Sequence, residues 1–458
     1  MKIKFRSVLF AGAFSALALA GRAQIVQFNA SFTAAQETPA TTSTATGSAI
    51  VLYDVAGNTL DVLVTLSNLS GTLTDVQVQE GAVGVAGSGI VHLAPSLFTS
   101  SGNTVTATIL KQSYASPGNP LTLLKNGASL NVMTTQFPNG EIRGQLIAQP
   151  KRLVANITWQ QEQAAFPNGN LAGANLADFG AAVMLYNPGT KVVSLRLSVF
   201  NFKNVLNNSH FHESPVGVSG GVVTALGNNA NAGGYNTANG FIDGSFDISY
   251  TGDPIKLLTG GAYVNFHSTT FSGGECRGQV RASDELPGSR VINLSTRGNA
   301  GAGTSMLIGG FSVLGPDPLR MLISAKGPSL AAYGLTGVLA DPVLTLFDSA
   351  GRQIAQNDNI GTVAATSDLA AISFAPSNPL ESALLVVLAP GNYTAMVSGA
   401  GGTTGIALLE ATDLRIIGPT TTAATQIIAS TPRRAGATET RSPELCFALP
   451  LAVAAVNP

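Results

Sequence analysis

Residues 139–146 read Asn-Gly-Glu-Ile-Arg-Gly-Gln-Leu, and residues 273–280 read Gly-Gly-Glu-Cys-Arg-Gly-Gln-Val, 134 positions later. Upstream, Gly47-Ser-Ala-Ile-Val-Leu-Tyr53 matches Gly180-Ala-Ala-Val-Met-Leu-Tyr186, and Val83-Gly-Val85 matches Val216-Gly-Val218, each at a spacing of 133. Near the start of each copy, Gln36-Glu37 corresponds to Gln161-Glu162. A repeat of this length means one folding unit used twice. The first copy spans 24–149 and the second 152–282. Whatever fold one copy adopts, the other must adopt too.

The apolar residues within each copy alternate, as in Leu60-Asp-Val-Leu-Val-Thr-Leu66 and Val193-Ser-Leu-Arg-Leu-Ser-Val199, and clusters of Gly, Asn and Pro interrupt the runs. Period two with turn punctuation predicts half-buried antiparallel strands, and no stretch carries a sustained helical period. Such strands must bury one face against another sheet, so each copy is expected to be a small β-sandwich or barrel and the chain to be all-β. The opening "AAQETP" of copy one, the His210-Phe-His212 element and the closing "YVNFHSTTFSGGECRGQV" of copy two resemble the chordin-type (CHRD) domain of secreted proteins. The resemblance covers both copies. It implies a β-rich extracellular module, and no catalytic residues come with it. Copy one departs from it at the histidines. Copy two departs at its opening, where "WQQEQAAF" lacks the Pro that follows Glu37 by two positions in copy one.

Lys2, Lys4 and Arg6 precede an apolar run from Val8 to Ala20, and small residues follow. This is the pattern of a secretory signal peptide over 1–23, with cleavage after Ala23 favoured over Ala20. The run is too short to span a bilayer as a helix. The expectation is a secreted or cell-envelope protein with no membrane span after cleavage. The mature chain would carry 20 basic and 25 acidic residues, a net charge near −5. With so few Lys and Arg there is no counterion-release term to hold nucleic acid, nor a patch to hold an anionic membrane surface. Charged residues are only 11% of the chain, and 51 glycines supply the backbone freedom that closely spaced turns require. With two cysteines, Cys276 and Cys446, the fold cannot rest on a disulfide framework. Two unpaired thiols are the simpler reading, and a single bridge between them the other.

From about Gly288 the texture changes. Segments such as Leu344-Thr-Leu-Phe-Asp-Ser-Ala-Gly351 and Ala389-Pro-Gly-Asn-Tyr-Thr394 predict a third β-sandwich over 288–417, and they look like secreted modules at the ends of exported Gram-negative bacterial proteins. Residues 418–458, rich in Thr, Ala, Ser and Pro before a short apolar end, predict a disordered tail.

His210 and His212 lie two apart on a predicted strand and so share a face, with Phe211 turned to the core. Tyr263, Asn265 and His267 share a face of another strand. Three imidazoles converging on one sheet face would suit Zn or Cu, which take nitrogen ligands at about 2.0–2.1 Å. His210, His212 and His267 align with Gln77, Gln79 and Met133, so copy one lacks all three together. That joint absence is what a shared site would leave, and also what drift at three polar surface positions would leave. Glu213 is expected to point away from the pair.

Other constellations carry less. Gly217-Val-Ser219-Gly-Gly221 matches the nucleophile-elbow pattern, but no helix is predicted after it and copy one has Ala86 in place of the serine, so a hydrolase is a remote alternative. Gly298, Gly301 and Gly303 miss a dinucleotide fingerprint because Met306 stands at its last glycine. Asp341, Asp348, Asn357, Asp358 and Asn359 fit no calcium-loop spacing, and turn capping explains them as well. Glu141 with Arg143, and Glu275 with Arg277, are read as structural ion pairs. The sequence thus predicts no enzyme. It predicts a secreted or envelope protein that binds an unidentified protein or matrix component, with a Zn or Cu site at His210, His212 and His267 as the alternative.

Overall fold

A computed structural model describes residues 24–414 apart from 115–116, 170, 172–173, 175, 228–234, 239, 284–292, 361–368, 370–371 and 373–374. The expected signal peptide, the tail expected over 418–458 and Cys446 lie outside the described residues.

The first copy contributes ten strands: β1 (Ile25–Phe32), β2 (Thr46–Asp54), β3 (Thr59–Ser67), β4 (Leu73–Glu80), β5 (Ser88–Leu93), β6 (Thr99–Ser101), β7 (Thr104–Ser113), β8 (Ala128–Thr134), β9 (Ile142–Gln145) and β10 (Ile147–Ala148). They form a six-stranded sheet, ordered β10-β1-β2-β3-β7-β6, and a four-stranded sheet, ordered β5-β4-β8-β9. The alternation is realised directly: Leu60, Val62, Val64 and Leu66 of β3 are buried, with their neighbours on the other face.

The second copy repeats the set: β11 (Lys151–Thr158), β12 (Phe179–Asn187), β13 (Val192–Phe200), β14 (Leu206–Glu213), β15 (Gly221–Ala225), β16 (Tyr235–Ala238), β17 (Phe241–Ser249), β18 (Ala262–Ser268), β19 (Cys276–Gln279) and β20 (Arg281–Ala282). Its two halves run into one sheet, ordered β15-β14-β18-β19-β11-β12-β13-β17-β16, through the pairing of Thr158 with Arg277. In copy one the same contact is a single bridge between Thr33 and Arg143. Short helices interrupt the strands: α1 (Pro120–Leu124), α2 (Trp159–Ala165) and α3 (Pro254–Leu258). All are too short to be stable on their own, and each starts from a side-chain cap, Asn119, Thr158 and Asp253 respectively.

The third module, β21 (Asn293–Ala300), β22 (Leu307–Val313), β23 (Leu319–Lys326), β24 (Pro342–Phe347), β25 (Gln353–Asn357), β26 (Ser382–Leu388), β27 (Gly391–Gly399) and β28 (Gly405–Asp413), forms two four-stranded sheets, β21-β28-β23-β26 and β22-β27-β24-β25. It packs onto copy two. The Phe200 ring, fully buried, stacks on Phe241 and tilts against Phe179, both at 5.2 Å, and joins the third module's core. Ser198 accepts the Val387 N–H at 2.9 Å, and Arg281 meets Asp317 at 2.7 Å. For this reason β13 departs from alternation at its end, where Ser198 and Phe200 are buried on the face that β3 exposes. The chain is therefore an all-β array of antiparallel sheets. Among the described residues no helix is long and apolar enough to cross a membrane.

Candidate metal centre

The centre stands on β14 and β18, antiparallel neighbours in register His210 to Asn265 and His212 to Tyr263, with His267 opposite Asn208. Phe211, Val264 and Phe266 turn into the apolar core, and this fixes His210, His212, Tyr263, Asn265 and His267 on the other face. β18 is buried along its whole length and β14 in part: His212 and His267 are 7% and 8% exposed, and His210 is half-buried.

The three rings meet. Their centroids are 5.5 Å apart for His210 and His212, 5.0 Å for His210 and His267, and 5.8 Å for His212 and His267. One nitrogen of each ring lies within 4.8 Å of the others. Donors around a Zn or Cu ion sit roughly 3.3–3.6 Å apart, so binding would draw each nitrogen inward by less than about 1 Å.

The hydrogen bonds decide which nitrogens are offered. His212 donates from Nδ1 to the Gly220 carbonyl at 3.0 Å, and His267 from Nδ1 to the Ser272 carbonyl at 2.9 Å. Each bond fixes the tautomer and leaves a lone pair on Nε2, the arrangement usual for metal-ligating imidazoles. Those Nε2 atoms, and Nδ1 of His210, are buried without a hydrogen-bond partner. Burial holds all three rings neutral, bringing His210 down from 6.5 to about 4 with the other two rings adding to the effect, and lowering His212 and His267 against the pull of their carbonyl partners. Neutral imidazoles are the ligand form.

Copy one shows what this face looks like without histidines. Gln77 and Gln79 occupy the places of His210 and His212 on β4, with Asn131 and Ser129 opposite them on β8. There the polar atoms close on each other: Gln79 donates to Gln77 at 3.1 Å, Gln77 to Asp75 at 2.9 Å, and Asp75 accepts from His92 at 2.7 Å. The fourth histidine, His92, is mostly exposed. On this face of copy one the glutamines and Asp75 are hydrogen-bonded to one another while Ser129 Oγ and Asn131 Oδ1 are left without partners, and in copy two three imidazole nitrogens are left without partners.

Around the centre lies a polar layer common to both copies. Gln161 bridges β11 and β19, accepting from Gln279 N–H and donating to the Asn156 carbonyl, and Gln36 does the same in copy one with Gln145 N–H and the Ser31 carbonyl. Glu162 lies 3.9 Å from Arg277, both buried, and Arg143 acts electrostatically on Glu37. Burial nevertheless raises Glu37 and Glu162 from 4.5 to about 7 each, more than the arginines lower them. These partners correct the reading of Glu141 with Arg143 and Glu275 with Arg277 as ion pairs. Glu141 and Glu275 precede β9 and β19, so strand alternation does not aim them at the arginines. Glu141 accepts instead from Ser43, Ser70 and Thr134, bonds that outweigh its burial and hold it below 4.5, and Glu275 accepts from Asn204. The Gln-Glu pair that opens each copy was visible as a motif, but its role as a clamp on the closing strand was not.

Other expectations fall into place around this. Glu213 points away from the centre, accepting from Tyr250, Lys256 and the Asp253 N–H. Ser219 is exposed on the turn between β14 and β15, with a strand and no helix after it. Asp348 caps its own turn at Ala350 and Arg352, and Asn357 accepts from Ala383 N–H. Cys276 is buried in the core of copy two.

Comparison with known families matches the CHRD domain twice, over residues 28–146 and 155–280. No curated protein matches the chain.

Proposed function

The chain belongs to the CHRD domain family, with two copies of the domain in tandem, and from that premise we propose a non-enzymatic, exported protein whose second CHRD domain binds a Zn or Cu ion through His210 Nδ1, His212 Nε2 and His267 Nε2. One observation carries this reading: three imidazoles, each with a buried nitrogen that lacks a hydrogen-bond partner, bring a nitrogen apiece within 4.8 Å of the others, where the sister domain carries two glutamines bonded to each other and a methionine. Leaving one buried polar atom unpaired costs about 1–3 kcal/mol, and a bound cation removes that cost at three atoms at once. The backbone carbonyls of Gly220 and Ser272 hold two of the rings in the ligating tautomer. Export through a signal peptide over 1–23, and a third module of the secreted bacterial type, complete the reading.

The test is metal content of the mature protein, purified without a histidine tag, beside H210A/H212A. About one equivalent of Zn or Cu in the wild type and none in the variant is expected. No metal in either, after reloading with each ion, would sink the reading.

A second reading rests on another shared feature. The turn between β4 and β5 exposes Val83 and Val85, and the one between β14 and β15 exposes Val216 and Val218, with Val222 beside it. Exposed apolar tips repeated in both domains support contact with a protein or matrix component of the envelope.

A further inference from the structure

Resting on the metal reading above, we propose that Tyr263 is the positioning residue of the centre: it holds His212 in its ligating orientation from two directions. The first is the ring face. The phenol of Tyr263 lies parallel to the His212 imidazole, 7° between planes and 4.9 Å between centroids. The guanidinium of Arg277 lies 4.3 Å from the centroid of the Tyr263 ring, and Arg277 is itself pinned by the carbonyls of Gln161 and Val218. Arg277 thus braces the Tyr263 ring, and the His212 imidazole stacks on the braced ring. The second direction is the ring edge. Gly220 takes the Nδ1 proton of His212 on its carbonyl, and the same residue donates its N–H to the Tyr263 hydroxyl at 3.0 Å. The phenol thus fixes the backbone that fixes the histidine tautomer.

The repeat separates this residue from the scaffold. Glu162, Asn265 and Arg277 have the same residue types at the matching places of copy one, Glu37, Asn131 and Arg143, and so belong to the domain whether or not it carries histidines. Tyr263 does not: the matching residue is Ser129, opposite Gln79 as Tyr263 is opposite His212. Tyr263 differs between the copies along with the three histidines. Ser129 also shows that the fold accepts a serine there.

The experiment compares wild type, Y263F and Y263S for Co(II) and Zn(II) affinity and for the visible spectrum of the Co(II) form, with thermal unfolding of the metal-free proteins as a control. Phe keeps the stack and loses the Gly220 bond. Ser loses both. Loss of such an outer partner typically costs 10–100-fold in metal affinity. The expected result is about tenfold weaker binding for Y263F and about a hundredfold for Y263S, each with shifted Co(II) bands that report a changed ligand geometry. A wild type that binds metal, with Y263F bands and affinity unchanged, would overturn the role of Tyr263 alone. A wild type that binds no metal would overturn the centre and this inference together.

Discussion

Glu37 shows how much one buried group can hold at the residue scale. Burial raises its pKa to about 7 from 4.5, with Arg143 only partly offsetting the shift. The folded protein then keeps a proton that the unfolded chain releases near pH 4.5. The stability this contributes is fully present below pH 4.5, is lost as pH rises to 7, and is flat above. The magnitude is on the order of 2–3 kcal/mol. E37Q, which imitates the protonated form, should flatten copy one's share of the slope: the difference in melting temperature between pH 5 and pH 8 should be smaller than in wild type. Identical pH dependence in the two proteins would refute the assignment. At the same scale, His210 and His212 were legible as a pair because alternation places them on one face, whereas His267 joins them through the pairing of β14 with β18. Which nitrogen each ring offers was not legible, since it depends on the carbonyls of Gly220 and Ser272 in loops that the strand pattern does not describe.

The element that ties each domain's second half back to its first is β9 in copy one and β19 in copy two, and the clamp on it is a glutamine. Gln36 accepts the N–H of Gln145 on β9 and donates to the Ser31 carbonyl on β1. Q36A would leave that N–H without its acceptor in a buried strand, and a cost of about 1–3 kcal/mol is expected, read as a lower denaturant midpoint with an unchanged slope. A midpoint within error of wild type would show that the strand closes without the clamp. The strands were legible from period two and turn residues. The short helices were not: α2 occupies Trp159–Ala165, where copy one has only a single turn of 3-10 helix at Ala34–Gln36. Too few residues are involved for a helical period to register, and Thr158 capping the Gln161 N–H is a local bond that apolar spacing does not reveal.

For the whole molecule, the second domain and the third module share an interface centred on Phe200, between Phe179 and Phe241 and against the core under β26. Truncating a fully buried Phe costs about 3–5 kcal/mol. F200A should therefore uncouple the two units, so that calorimetry resolves a third-module transition below that of the second domain, while the metal binding proposed at the histidines stays as in the wild type. A single unchanged transition would mean that the interface contributes little. Copy one has Ser67 where copy two has Phe200, and its matching sheet face carries no such plug.

Repetition, alternation and turn chemistry are properties of neighbours along the chain, and so the sequence by itself determined the all-β class, the two related units and the face that His210 and His212 share. The meeting of β11 with β19, the clamp of Gln36 and Gln161, the true partners of Glu141 and Glu275, and the stack of Arg277, Tyr263 and His212 join residues that for the most part lie 14 to more than 100 positions apart. Only tertiary structure decided these, because burial on both faces removes the solvent that would otherwise satisfy each polar group and leaves its partner to be set by whichever strand or loop packs against it.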